Sequence, residues 1–140
     1  MLRVLPLNER KNPDPGFVLC IEIGYGEHCN DTYTTNSARI DDAKASPETG
    51  FVSEKDACNI VKIIERALKV IDSGHILLND GIDPWWCGGM EYEDFFALKD
   101  FYGKYEFLFD PRLEHEWYGV TDAYIRYIDE DWQRHKVEIV

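Results

Sequence analysis

The stretch Ser53-Glu-Lys-Asp-Ala-Cys-Asn-Ile-Val-Lys-Ile-Ile-Glu-Arg-Ala-Leu-Lys-Val-Ile71 decides the fold. Ala57, Ile60, Val61, Ile64, Leu68 and Ile71 fall at offsets 0, 3, 4, 7, 11 and 14. That spacing places them on one face of a helix over about 54–72. Ile63, Ala67 and Val70 widen the apolar face, while Lys55, Lys62, Glu65, Arg66 and Lys69 occupy the other side. A stripe this broad predicts a helix lying flat on a sheet, with Ile60, Ile64 and Leu68 against it. Ser53 is a suitable N-cap, because its hydroxyl can accept from amides of the first turn. Gly74 can supply a left-handed C-terminal cap.

Upstream, Phe17 to Ile23 alternates as a strand, and Gly24-Tyr-Gly26 ends it. Thr32 to Ile40 reads as the returning strand of a hairpin, and Asp41 to Gly50 as a polar loop. Residues 9–16, with two prolines and a glycine, form a turn, and residues 2–7 suit a short first strand. Downstream, a loop from Leu78 to Gly89 leads to a shorter helix over Glu91–Phe101. Its apolar residues Tyr92, Phe95, Phe96, Leu98 and Phe101 are spaced mostly by three and four. Tyr105, Phe107 and Phe109 alternate as a strand ended by Asp110-Pro111. Val120 to Ile128 reads as another strand, Asp129 to Arg134 as a turn, and Val137 to Val140 as a short last strand. Strands and helices do not alternate strictly. The expected fold is therefore α+β: a largely antiparallel sheet packed by one long amphipathic helix and a shorter second helix, in a single domain over 1–140.

A chain of 140 residues with 44% hydrophobic and 30% charged residues can bury its own core. The opening Met-Leu-Arg-Val-Leu-Pro-Leu lacks the long apolar run of a signal peptide. No stretch reaches the roughly 18 apolar residues of a membrane helix. A cytoplasmic protein is expected, with Cys20, Cys29, Cys58 and Cys87 as thiols. The net charge of −12, from 15 basic and 27 acidic residues, argues against direct nucleic-acid binding and favours a basic protein partner. Residues 79–116 hold ten acids against three bases, a net −7.

No motif for chemistry emerges. His28 and Cys29 are adjacent and Cys20 lies nearby, but structural zinc sites present pairs such as Cys-x-x-Cys, and no such pair occurs; His28, His75, His115 and His135 are scattered. There is no Gly-x-Ser-x-Gly elbow and no phosphate-cradling Gly-Lys-Ser. Neither metal nor cofactor is expected, and no catalytic residue is assigned. The most distinctive segment is Pro84-Trp85-Trp86-Cys87-Gly88-Gly89. Two tryptophans in a loop bounded by proline and glycine suit an interface anchor inside an acidic rim. The partner-binding residues expected on this basis are Asp83, Trp85, Trp86, Glu91, Glu93 and Asp94. The opposing reading packs both tryptophans under the second helix and leaves the acids as a solvated surface.

The segments Gly16-Phe-Val-Leu-Cys-Ile-Glu-Ile-Gly24 and Tyr92-Glu-Asp-Phe-Phe-Ala-Leu-Lys-Asp-Phe-Tyr-Gly-Lys-Tyr-Glu-Phe107 resemble those of small bacterial immunity proteins, which neutralise partner toxins. The resemblance implies an acidic inhibitor that blocks a basic protein, a toxin or nucleic-acid-binding enzyme, without turnover. A phage-encoded inhibitor of bacterial defence, of anti-CRISPR type, fits the same composition. The alternative class is a small-ligand-binding or enzymatic domain whose Trp85-Trp86 loop lines a pocket. A flat or convex acidic patch suits an inhibitor, and a concave aromatic site suits a ligand binder.

Overall fold

The computed structural model describes residues 1–4, 11–26, 29, 32–71, 74–78, 89–110 and 118–140, with only the backbone at 77 and 78. Its centre is β1 (Gly16–Tyr25), which pairs antiparallel with both β2 (Thr32–Ile40) and β5 (Tyr118–Ile128). Such a central strand has both ladder edges filled and buries residues on each face. Leu19, Ile21, Ile23 and Tyr25 join the main core, and Val18 and Cys20 are buried on the reverse face. The strand runs past Gly24 and ends at Gly26, whose φ is 98°.

The short β3 (Phe51–Val52) pairs parallel with β2 through Arg39–Phe51 and Ile40–Val52. On the outer edge of β5, β4 (Ile76–Leu78) pairs with residues 118–120, and β6 (Arg134–Lys136) pairs with residues 126–128. The sheet order is β3-β2-β1-β5-β4, with β6 sharing the outer edge of β5. The sheet is thus mixed and mostly antiparallel, with one parallel pair. Together with the helices it makes an α+β fold.

The long helix α1 (Glu54–Val70) forms where its periodicity places it. The Ser53 hydroxyl accepts from the Asp56 amide at 3.2 Å. Ala57, Ile60, Val61, Ile63, Ile64 and Ala67 are buried in the core. Leu68 is only half-buried and Val70 is exposed, so the apolar face narrows in the last turn. Gly74 adopts the left-handed φ of 74°, but it lies beyond the end of the helix, where the Ile71 amide bonds Ala67 O at 3.1 Å.

Three expected strands change. Residues 105, 107 and 109 do not form one: a single helical turn, α3 (Glu106–Phe109), follows α2 (Tyr92–Lys104). Tyr105, Leu108 and Phe109 sit at offsets of three and four and are all buried, whereas Phe107 is half-exposed. Leu108 thus tips the segment from a two-residue to a helical period. The last strand starts earlier than expected, at Arg134. The Asp129 carboxylate accepts from the Asp131 and Gln133 amides, both at 2.9 Å, and closes a tight turn that sets the register of β6. Val137 and Ile139 still pack on the core, but outside the ladder. Residues 1–4 are exposed and unpaired, and the remainder of the expected strand at 2–7 lies outside the described residues.

Candidate functional site

The helix α2 is fixed to α1 at both ends. Near its start, Arg66 grips Asp94 with two parallel bonds, Nε to Oδ2 at 2.9 Å and Nη2 to Oδ1 at 2.6 Å. This fork geometry is the strong form of an ion pair. The hydrogen bond to Asp94 raises the pKa of Arg66 above its usual value. Near the end of α2, Lys104 Nζ bonds Asp56 Oδ2 at 2.7 Å, and the Tyr105 hydroxyl donates to the same oxygen. Burial would raise the Asp56 pKa, but these two bonds outweigh it and hold the carboxyl below its usual range.

The two halves of the Arg66–Asp94 pair differ in exposure. Asp94 is only 6% exposed, while the Arg66 side chain reaches solvent. Arg66→Ala is expected to cost about 2 kcal/mol, since it strands a buried carboxylate. Asp94→Ala is expected to cost less, because the guanidinium turns to water. Urea unfolding of both variants checks the order. Equal costs would mean that Asp94 finds water or another donor in the folded state.

Clamping fixes which side of α2 faces outward. Asp94, Leu98 and Tyr102, at steps of four, are buried. Tyr92 and Phe96, also four apart, lie on the outer side and are 65% and 58% exposed. Glu91, Glu93, Lys99, Asp100 and Gly103 are exposed beside them. The apolar spacing of Tyr92, Phe95, Phe96, Leu98 and Phe101 therefore resolves into two stripes rather than one. Two large exposed aromatic rings on a held helix, with the exposed carboxylates Glu91, Glu93 and Asp100 along it, make an acidic-aromatic surface.

Of the residues expected to contact a partner, Glu91 and Glu93 lie on this surface. Asp94 faces inward, and its carboxylate is taken up by Arg66. Asp83, Trp85 and Trp86 lie outside the described residues. Tyr92 and Phe96 were hidden from sequence reasoning by their own helical spacing. The signal that separates them is the i, i+4 relation of Asp94 to Leu98 and Tyr102, which makes that row the inner one. Glu91 and Glu93 also stand at the positive end of the helix dipole, which favours them whatever else they contact.

A concave feature lies elsewhere. A groove of about 520 Å³ is lined by Phe17, Ile40, Cys58, Ile125, Val137 and Ile139, with Asp42, Glu54, Lys55 and Glu138 among its polar lining residues. Among the described residues no three His, Cys, Asp or Glu side chains come together to hold a metal ion. None of the described helices is long and apolar enough to cross a membrane. No family model matches the chain, and no curated protein or solved structure matches it either.

Proposed function

We propose that the chain is an inhibitor of immunity type, which docks a basic, nucleic-acid-handling protein through the outer side of α2 and blocks that partner's substrate site. The observation that carries this reading is the exposure of Tyr92 and Phe96 among Glu91, Glu93 and Asp100. Exposed aromatic rings are favoured binding anchors, and the carboxylates supply attraction at a distance. The ion pairs at each end of α2 support it further, since a surface already held in place loses little entropy on binding. Such a protein acts by occlusion and charge, with no turnover.

The test is surface-based kinetics, at two ionic strengths, against whichever basic protein the genomic neighbourhood supplies as a partner. Charge should govern encounter: higher salt, or Glu91→Lys with Glu93→Lys, is expected to slow association several-fold. The rings should govern residence: Tyr92→Ala with Phe96→Ala is expected to speed dissociation about 30-fold, equivalent to about 2 kcal/mol. Both side chains are exposed, so melting temperature should change little. Affinity that ignores salt and all four substitutions, with the fold intact, sinks this reading.

A further inference from the structure

The apolar layer between α1 and the sheet stays open at the end where α1 begins. Phe17 near the start of β1, Ile40 at the end of β2, Ile125 of β5 and Cys58 in the second turn of α1 line the groove of about 520 Å³ there. Its remaining apolar wall is Val137 and Ile139. The chain leaves the ladder after Lys136, so side-chain packing on the core holds this wall. Ile40, Cys58, Val137 and Ile139 are each only partly buried, and Phe17 is 43% exposed. These side chains keep apolar surface in water, which a ligand of matching shape would cover. The volume lies within the range of roughly 300–1,000 Å³ usual for small-molecule sites.

The rim sets the charge of that ligand. Asp42 and Glu54 stand side by side, because Asp42 Oδ1 accepts from the Glu54 amide at 2.8 Å. Glu138 adds a third carboxylate from the opposite wall, and Lys55 is the single cation among the lining residues. The ion pairs among the described residues join Lys44 to Asp41, Arg66 to Asp94, Lys104 to Asp56 and His135 to Asp129, and use none of these four. The positive end of α1 would by itself favour an anion. Here the Glu54 amide is taken by Asp42 and the Asp56 amide by the Ser53 hydroxyl. An anionic headgroup would thus meet three carboxylates and two occupied amides. A cationic headgroup meets three acceptors, and charge-assisted bonds to them offset its lost hydration.

We propose that this groove binds an aliphatic amine, its ammonium among Asp42, Glu54 and Glu138 and its hydrocarbon chain over Phe17, Ile40 and Ile125. Both halves of such a molecule meet their own kind of lining. A fatty acid would match the apolar floor and be repelled at the rim. A polyamine would match the rim and leave the floor wet. The proposal stands apart from the docking surface on α2 and needs no partner protein.

The experiment uses Cys58 as the reporter, since it lines the groove. Its alkylation by iodoacetamide in the full chain at neutral pH is followed by mass spectrometry on the peptide that carries it. Millimolar octylamine is expected to slow this reaction at least tenfold, and the protection should saturate. Hexylamine should bind about 15-fold more weakly, at about fourfold for each methylene removed. Octanoate should bind at least tenfold more weakly than octylamine. Glu54→Gln with Glu138→Gln, both exposed, is expected to remove most of that preference. Ile139→Ala takes away wall and not charge, so it should weaken both ligands alike. A melting curve for each variant confirms the fold. No saturable protection by octylamine overturns the proposal. Equal or tighter binding of octanoate overturns it in favour of an anionic ligand held by Lys55. A preference for the amine that survives the paired Gln substitution overturns the role given to the rim.

Discussion

Gly24→Ala is expected to cost about 3 kcal/mol or more, enough to unfold a large share of the chain near body temperature. A Cβ at this position would lie 1.9 Å from the Cys29 carbonyl oxygen and 2.8 Å from its carbon. Both are backbone atoms. The turn that brings them there is closed by the Cys29 amide on Gly26 O at 3.0 Å, with Cys29 itself in the left-handed region at φ 54°. A flexible side chain could step aside, but a closed turn on a central strand cannot do so without losing its bond. Gly103→Ala is the matched control. It sits on exposed α2 with nothing within 4 Å of its would-be Cβ. That change should stabilise by up to about 1 kcal/mol, by removing helix-disfavouring freedom. Urea midpoints for the two variants should therefore move in opposite directions. A loss under about 1 kcal/mol at Gly24 would show that the turn at Cys29 relocates.

Ile64→Ala is expected to cost about 2–5 kcal/mol. Ile64 is fully buried in α1, within the same core cluster as Leu19, Ile21 and Ile125 of the sheet. Removing most of its side chain deletes apolar burial and leaves a cavity between two regular layers. Neither layer can collapse freely, because β1 is held on both edges by β2 and β5. Leu68→Ala should cost less, since Leu68 is half-buried at the narrowing end of the helix. Equal costs for the two would mean that the last turn of α1 is packed more tightly than this arrangement allows. Denaturant unfolding with unchanged m-values is the measurement, so that the difference reports stability and not the extent of unfolding.

Much of the architecture was legible from residues 17–71. Alternation over Phe17–Ile23, the Thr-rich return over Thr32–Ile40 and the stripe from Ala57 to Ile71 are each local periodicities, and each became the element expected. The same holds for Val120–Ile128. The sequence reading of α2 located the helix and missed its orientation. An apolar spacing of three and four names a face only if the residues outside it are polar, and in Tyr92–Lys104 aromatic residues stand on both sides.

What the sequence by itself determined is therefore the set of elements with strong local period, the α+β class and the overall acidity. The tertiary structure decided the rest. Arg66 is 28 residues from Asp94, and their bidentate pairing turns one side of α2 inward and leaves Tyr92 and Phe96 outside. Asn36 of β2 fixes the end of α3 against the sheet by donating to the carbonyls of Leu108 and Asp110, 72 and 74 residues away. Strand register likewise brings Arg39, Arg126 and Lys136, dispersed along the chain, into one line across the sheet through Val18. Local period is written in neighbouring side chains. Which faces meet, and which charges end up side by side, depends on pairings across long sequence separations, and no local pattern encodes those.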